Sequence, residues 1–292
     1  MLLAWLIPVL ALAAAVLWLR ADASRLMREA DTRLRRGAGG IIVGAEAIEL
    51  TAPPSARAVL LIHGFGDTPQ TLTYLASALQ ERGYAVSCPL LPGHGRTVAE
   101  FAASVGDEWL HAASDALHSL RRQHGRVGIV GLSMGGAVAS LLASGDERLP
   151  ALVLMAPYLE APPIVRAVGA CHRVVALWRP YLGNAGAHSI EDPIERERSL
   201  AYRVSTPGLV RELVALSDRA RAALPAFSAP TLIVQSRHDN RLSLAVAERA
   251  LARLGSREKR LELVEGRHVI TVDLDRRRVI VAATAWLDAH LG

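Results

Sequence analysis

Lysine is nearly missing from this sequence. Lys259 stands alone among 33 basic residues, and all the others are arginine. Scattered along the chain, these arginines read as codon preference and not as a phosphate-binding device. The formal net charge of +5 is small for 292 residues, and no basic helix is interleaved with aromatic side chains, so no nucleic acid partner is expected. Cysteine is scarce as well. Cys88 and Cys171 make no metal-ligand spacing and specify no disulfide, so they are expected to serve as small apolar groups. Internal repeats and low-complexity tracts are absent beyond a bias to alanine. What the chain has in quantity is apolar side chains, 51% of its residues, enough for a sizeable core in one large domain or two small ones.

Charge is also missing from one long stretch. "LLAWLIPVLALAAAVLWL", residues 2 to 19, carries no charged side chain and would extend about 27 Å as a helix, just enough to cross a bilayer. Trp5 and Trp18 lie near its two ends, as interfacial aromatics would. Residues 1–20 are therefore expected to form a transmembrane anchor. A cleaved signal peptide is the competing reading, because Ala21-Asp22-Ala23 resembles a cleavage site. Against it, no basic residue precedes the apolar run, and Arg20 intrudes where such a site is neutral. Arg20, Arg25, Arg28, Arg33, Arg35 and Arg36 follow the run, which by the positive-inside rule puts the remaining chain in the cytoplasm. Residues 21–45, Arg-rich and then Gly-rich, read as a juxtamembrane helix leading into a linker.

From about Glu46 onward, short apolar runs alternate with helix-length amphipathic segments. The runs are "RAVLLI" (57 to 62), "YAVSCPLL" (84 to 91), "RVGIVG" (126 to 131), "ALVLMA" (151 to 156), "PTLIVQS" (230 to 236) and "RLELVE" (260 to 265). Nearly continuous apolar strands separated by helices imply a parallel sheet covered on both faces, an α/β architecture. Between the second and third runs, Leu110, Ala113, Leu117 and Leu120 follow helical spacing. The alternation fails from Pro157 to about Leu224, which is too long for an ordinary crossover. Residues 158–224 are therefore expected to be an inserted helical cap dividing a core of residues 46–157 and 225–292.

"VGLSMGGA", residues 130 to 137, contains G-x-S-x-G, a pattern that chance alone would supply to such a composition about one time in ten. Its place makes it informative. Ser133 follows the strand "RVGIVG" and precedes a segment in which Met134, Ala137, Val138 and Leu141 recur at helical spacing, the strand–turn–helix setting of a nucleophile elbow. A serine hydroxyl needs a positioned base and a group to orient that base. Asp239 in "SRHDN" and His268 in "EGRHVI" each come three residues after a predicted strand, on the sheet edge where Ser133 also lies. His238, Asp146 and Asp218 are weaker candidates by placement, and Asp273 is expected near the start of the last helix. "LLIHGFGDT" (60 to 68) offers the Phe65 backbone N–H, which with that of Met134 can point at an oxyanion. His63 and His94 are read as residues that order their loops, His94 having no partner at metal-ligand spacing.

"LIHGFGDTPQTLTYLASALQERGYAVSCPLLPGHG", "VGLSMGGAVA", "APTLIVQSRHDN" and "EGRHVITVDLDRRRV" together resemble the α/β-hydrolase superfamily. Within it they are most similar to small bacterial carboxylesterases and monoacylglycerol lipases, the serine aminopeptidase-like group. The resemblance runs from about residue 57 to the C-terminus. It implies an α/β-hydrolase fold, a mostly parallel central sheet flanked by helices, with Ser133 as nucleophile, His268 as general base and acid, and Asp239 orienting it. It also implies Phe65 and Met134 as oxyanion donors, and neither cofactor nor metal. The cap matches no family motif, and the anchor departs from the soluble members, pointing to ester substrates that partition into membranes. Ester hydrolysis through an acyl-enzyme is thus the expected activity. An acyltransferase or an amide-cleaving serine peptidase would use the same triad, and a non-catalytic membrane-tethered binding protein is a third reading. No oligomeric state is specified.

Overall fold

The computed structural model describes residues 2–53, 56–183 and 189–292, with side chains from Ile7 onward. A long helix α1 (Leu2–Arg33) leads into β1 (Ile48–Leu50), β2 (Ala58–Ile62), α2 (Thr73–Glu81), β3 (Ala85–Cys88), α3 (Val98–Ala103), α4 (Gly106–Gln123), β4 (Val127–Leu132), α5 (Met134–Ala143) and β5 (Leu152–Met155). Next come α6 (Pro163–Ala170), α7 (His172–Trp178), β6 (Leu182–Gly183), α8 (Pro193–Arg198), β7 (Val204–Ser205) and α9 (Pro207–Ala223). The chain closes with β8 (Thr231–Ser236), α10 (Leu244–Arg253), β9 (Lys259–Val264) and α11 (Arg276–Leu291). The main sheet has the order β1-β3-β2-β4-β5-β8-β9. All its neighbours run parallel except β1 against β3.

Burial on both faces explains why the strands read as unbroken apolar runs. In β2, Ala58, Leu60 and Ile62 enter one core layer, while Val59 and Leu61 enter the other. The six runs seen in the sequence coincide with β2, β3, β4, β5, β8 and β9, with β4 ending one residue later and β9 starting one residue earlier than its run. β1 was not foreseen, because three residues are too few to show a period. The helix expected before β4 is α4, and it buries Trp109, Ala113, Leu117 and Leu120. Trp109 thus takes the core position expected of Leu110. Asp107 and Glu108 in the first turn and Arg121 and Arg122 in the last complement the helix dipole.

Between β5 and β8 the described residues form four α-helices and a two-stranded antiparallel ribbon, β6 with β7. Pro163, Pro193 and Pro207 each open a helix, where a missing N–H costs nothing. Asp192 caps α8 by accepting from the Ile194 and Glu195 amides, and Thr206 caps α9 by accepting from Leu209 N–H. α9 packs on both α6 and the core helix α5, joining the insertion to the sheet.

The N-terminal helix does not end with its apolar run. No helix-breaking residue follows Arg20 until Gly37, and α1 continues through Arg33 with Ala23 and Ala30 buried. From Ile7 to Leu19 none of its residues is buried. Length and composition suit either a membrane span or a signal sequence. Trp18 is exposed; the side chain of Trp5 lies outside the described residues. The Gly-rich segment after α1, expected as a linker, is folded onto the core: Ile42 and Ala45 are buried, and Ile42 N–H donates to Gly95 O at 2.7 Å. Of the two cysteines, Cys88 is the buried apolar group expected. Cys171 is exposed at the junction of α6 and α7, which corrects that expectation for it.

Candidate active site

Ser133 sits at the sharp turn from β4 into α5 with φ 55° and ψ −115°. Such angles are strained for a residue with a Cβ, and the surroundings hold them. Ser133 N–H donates to Met155 O at 2.9 Å, and its carbonyl accepts from Gly136 at 2.9 Å and from Tyr158 at 2.9 Å. The flanking glycines are steric necessities. A Cβ on Gly131 would lie 2.2 Å from Gly135 O, and one on Gly135 would lie 2.1 Å from Ile62 O. Only glycine lets the strand, the helix and the neighbouring strand approach this closely.

The loops after β8 and β9 bring Asp239 and His268 to the same sheet edge. His268 Nε2 is 2.8 Å from Ser133 Oγ, and His268 Nδ1 is 2.8 Å from Asp239 Oδ2. A carboxylate can only accept, so the ring proton sits on Nδ1 and Nε2 faces the serine hydroxyl as an acceptor. Asp239 has no exposed side-chain surface. Its burial opposes ionisation, yet the His268 charge and ring hydrogen bond, with the Leu242 and Arg241 amides, outweigh it and hold the carboxyl below its ordinary range. Gln235 was missed in the sequence. Its Nε2 donates to Asp239 Oδ2 at 2.8 Å, so it steadies the oxygen that the imidazole uses. A polar residue inside the apolar strand "TLIVQS" was the available signal.

Asp273 lies near the start of the last helix, as expected, but its partners are loop amides. It is buried and accepts from the amides of Arg267, Glu191, Asp192 and Leu274. It ties the His268 loop to the segment before α8, and no helix dipole is needed to account for it. His238 faces Glu265 at 3.1 Å, away from the serine. Asp146 pairs with Arg121 and Asp218 with Arg166.

Phe65 packs its ring against Phe101 and Trp109. Among the described residues, the Phe65 and Met134 N–H groups make none of the backbone hydrogen bonds that close the adjoining turns. His63 orders the loop: its Nε2 accepts from Leu91 N–H at 3.1 Å and its Nδ1 lies 3.0 Å from Gly64 O. Desolvation lowers its pKa to about 4, so it stays neutral. His94 stands edge-on to it and is likewise kept neutral by burial. Beside the serine, Asp67 is a buried acid that the sequence reading passed over. Burial lifts its pKa to about 7.

A cavity of about 550 Å³ opens above Ser133 and His268, within the range of small-molecule sites. Phe65 and Leu132 contribute from the core, and Pro162, Ile164, Val210 and Leu213 from the insertion. Its apolar walls suit an acyl chain, and Ser189, Ser199, Ser205, Asn240 and Arg241 add polar groups to the lining. Among the described residues, no group of three or more His, Cys, Asp or Glu could hold a metal ion.

Known proteins resemble this chain over most of its length. The Hydrolase_4 family, described as serine aminopeptidase, S33, matches residues 53–275. A thermostable monoacylglycerol lipase from Bacillus sp. (strain H-257) is 26% identical over 80% of this chain and 91% of that enzyme. A carboxylesterase from Bacillus subtilis (strain 168) is 28% identical over 75% of this chain and 87% of its own length. Among solved structures, a metagenome-derived lipolytic enzyme superposes with a TM-score of 0.78 at 30% identity, covering 86% of this chain and all of its own.

Proposed function

Since the chain belongs to the S33 serine aminopeptidase family of α/β hydrolases, we propose that it is a membrane-anchored serine hydrolase of carboxylic esters, acting on monoacylglycerols or other lipid esters. The observation that carries this is the Asp239–His268–Ser133 chain of two 2.8 Å contacts at the floor of an apolar cavity. Ser133 Oγ attacks the ester carbonyl as its proton passes to His268 Nε2. Asp239 holds the imidazole in the Nδ1–H tautomer and stabilises its charged form. The Phe65 and Met134 amides donate to the oxyanion. His268 then protonates the departing alcohol, and a water activated by the same nitrogen releases the acid. No cofactor enters.

Ser133→Ala is expected to reduce turnover of p-nitrophenyl butyrate by about 10⁴-fold or more and to abolish labelling by a fluorophosphonate probe. Turnover that survives the substitution would overturn the assignment. The lipase and carboxylesterase relatives favour ester cleavage over the amide cleavage in the family's description. Hydrolysis that gives way to alcohol transfer when a competing alcohol is added would favour an acyltransferase. The arginines after the apolar run support, by the positive-inside rule, a catalytic domain on the cytoplasmic side. Protease added to intact cells should then leave it uncut, while opened cells should lose it.

A further inference from the structure

Helix α1 packs against residues that line the cavity above Ser133. The apolar run of α1 ends at Arg20, whose Nη1 donates to Leu177 O at 2.7 Å. Two residues on, Asp22 pairs with Arg179 at 2.8 Å. Both partners lie at the C-terminal end of α7. One turn further, Leu26 Cδ1 lies 3.6 Å from where a Cβ on Gly183 would stand. Beyond that, Arg33 donates to Ser199 O at 3.2 Å and to Ala201 O. Gly183, Ser199 and Ala201 all line the cavity above Ser133. The helix that leaves the apolar run therefore braces one wall of the pocket directly. Ala23, in the Ala-Asp-Ala stretch, is fully buried within this docked helix.

The contacts also set the level of the cap relative to the apolar run. Arg20 marks where charge begins along α1, and it touches Leu177. On α7, Val174, Leu177 and Trp178 follow i, i+3, i+4 spacing and so share a face, with Val174 and Leu177 more than half exposed. Ile164 on α6, 72% exposed, forms part of the cavity rim. An apolar patch beside a pocket mouth, at the height where an apolar span ends, matches the boundary of a bilayer.

Resting on the reading of α1 as a retained membrane anchor, we propose that α1 clamps the cap against the lipid surface. The α7 face then lies in the headgroup boundary, and the pocket receives its ester substrates from the bilayer. The clamp consists of Arg20 on Leu177, Asp22 on Arg179 and Arg33 on the 199–201 segment. Orientation is fixed by one rigid helix instead of being searched through a flexible tether.

Cys171, one turn before Val174, is exposed, whereas Cys88 is buried. A bimane label will thus report on the α6–α7 junction. The full chain is reconstituted in phosphatidylcholine vesicles with and without 5-doxyl phosphatidylcholine. The proposal expects quenching of the label by the doxyl lipid, and unchanged fluorescence overturns it. In the unlabelled chain, Val174→Asp with Leu177→Asp should lower turnover of vesicle-borne monoacylglycerol by about tenfold. Turnover of soluble p-nitrophenyl butyrate should be unchanged. Equal turnover of the vesicle substrate by this variant and the unaltered chain also overturns the proposal. Failure of the unaltered chain on the soluble ester would instead refute the hydrolase reading, and the quenching result decides the seating of α7 at the lipid boundary independently of it.

Discussion

Asp67 shows how a single buried group can set a pH response. Burial raises its pKa from 3.8 to about 7, so the folded chain keeps a proton that the unfolded chain releases. Its stabilising contribution is complete below the unfolded value and is lost as pH rises through about 7. His63 works the opposite way. Its pKa falls from 6.5 to about 4, so below 6.5 the unfolded chain takes up a proton that the folded chain refuses, and stability is lost as pH falls. His94 shifts in the same direction as His63. The two effects oppose each other in the acid range. Asp67→Asn should remove one of them: the variant is expected to melt higher than the parent near pH 8, and its melting temperature should fall more steeply from about pH 7 to about pH 5. Thermal melts across that range check this, and parallel profiles would mean that Asp67 ionises as an exposed carboxyl does.

The elbow between β4 and α5 is held by close backbone approach, so its tolerance to side chains is low. A Cβ on Gly135 would meet Ile62 O at 2.1 Å, and moving β2 would disturb the centre of the sheet. Gly135→Ala is expected to destabilise the fold by about 3 kcal/mol or more. Gly125→Ala provides the control, since no atom lies within 4 Å of its Cβ position. Urea unfolding midpoints should separate the two variants clearly. The strands around the elbow were readable in advance because β2, β4 and β5 are buried on both faces and carry only apolar residues and glycine. β1 was not, because three residues with one partner strand carry no periodic signal. α4 was readable in extent, but which of two adjacent side chains, Trp109 or Leu110, faces inward depends on the small rotation set by packing.

For the whole molecule, the N-terminal helix divides into an exposed part, described from Ile7 to Leu19, and a part that joins the core. Deleting residues 1–19 removes only the exposed apolar run, so the melting temperature should stay within about 2 °C and the soluble-ester activity should persist. Deleting residues 1–35 also removes Ala23, Ala30 and Leu34 from their buried positions. The second deletion should lower the melting temperature by about 5 °C or more, as differential scanning calorimetry would show. What the sequence by itself determined was local: a serine between glycines at a strand end, an aspartate and a histidine just past two later strands, and an uncharged run of bilayer length. Backbone geometry and burial act over a few residues there, so the residues carry their own signal. The tertiary structure alone decided that Gln235 steadies Asp239, that Asp67 is buried beside the serine, and that α1 docks on the insertion. Those contacts join residues on different elements, and they form only when the sheet brings its loops to one edge and packs the helices around them.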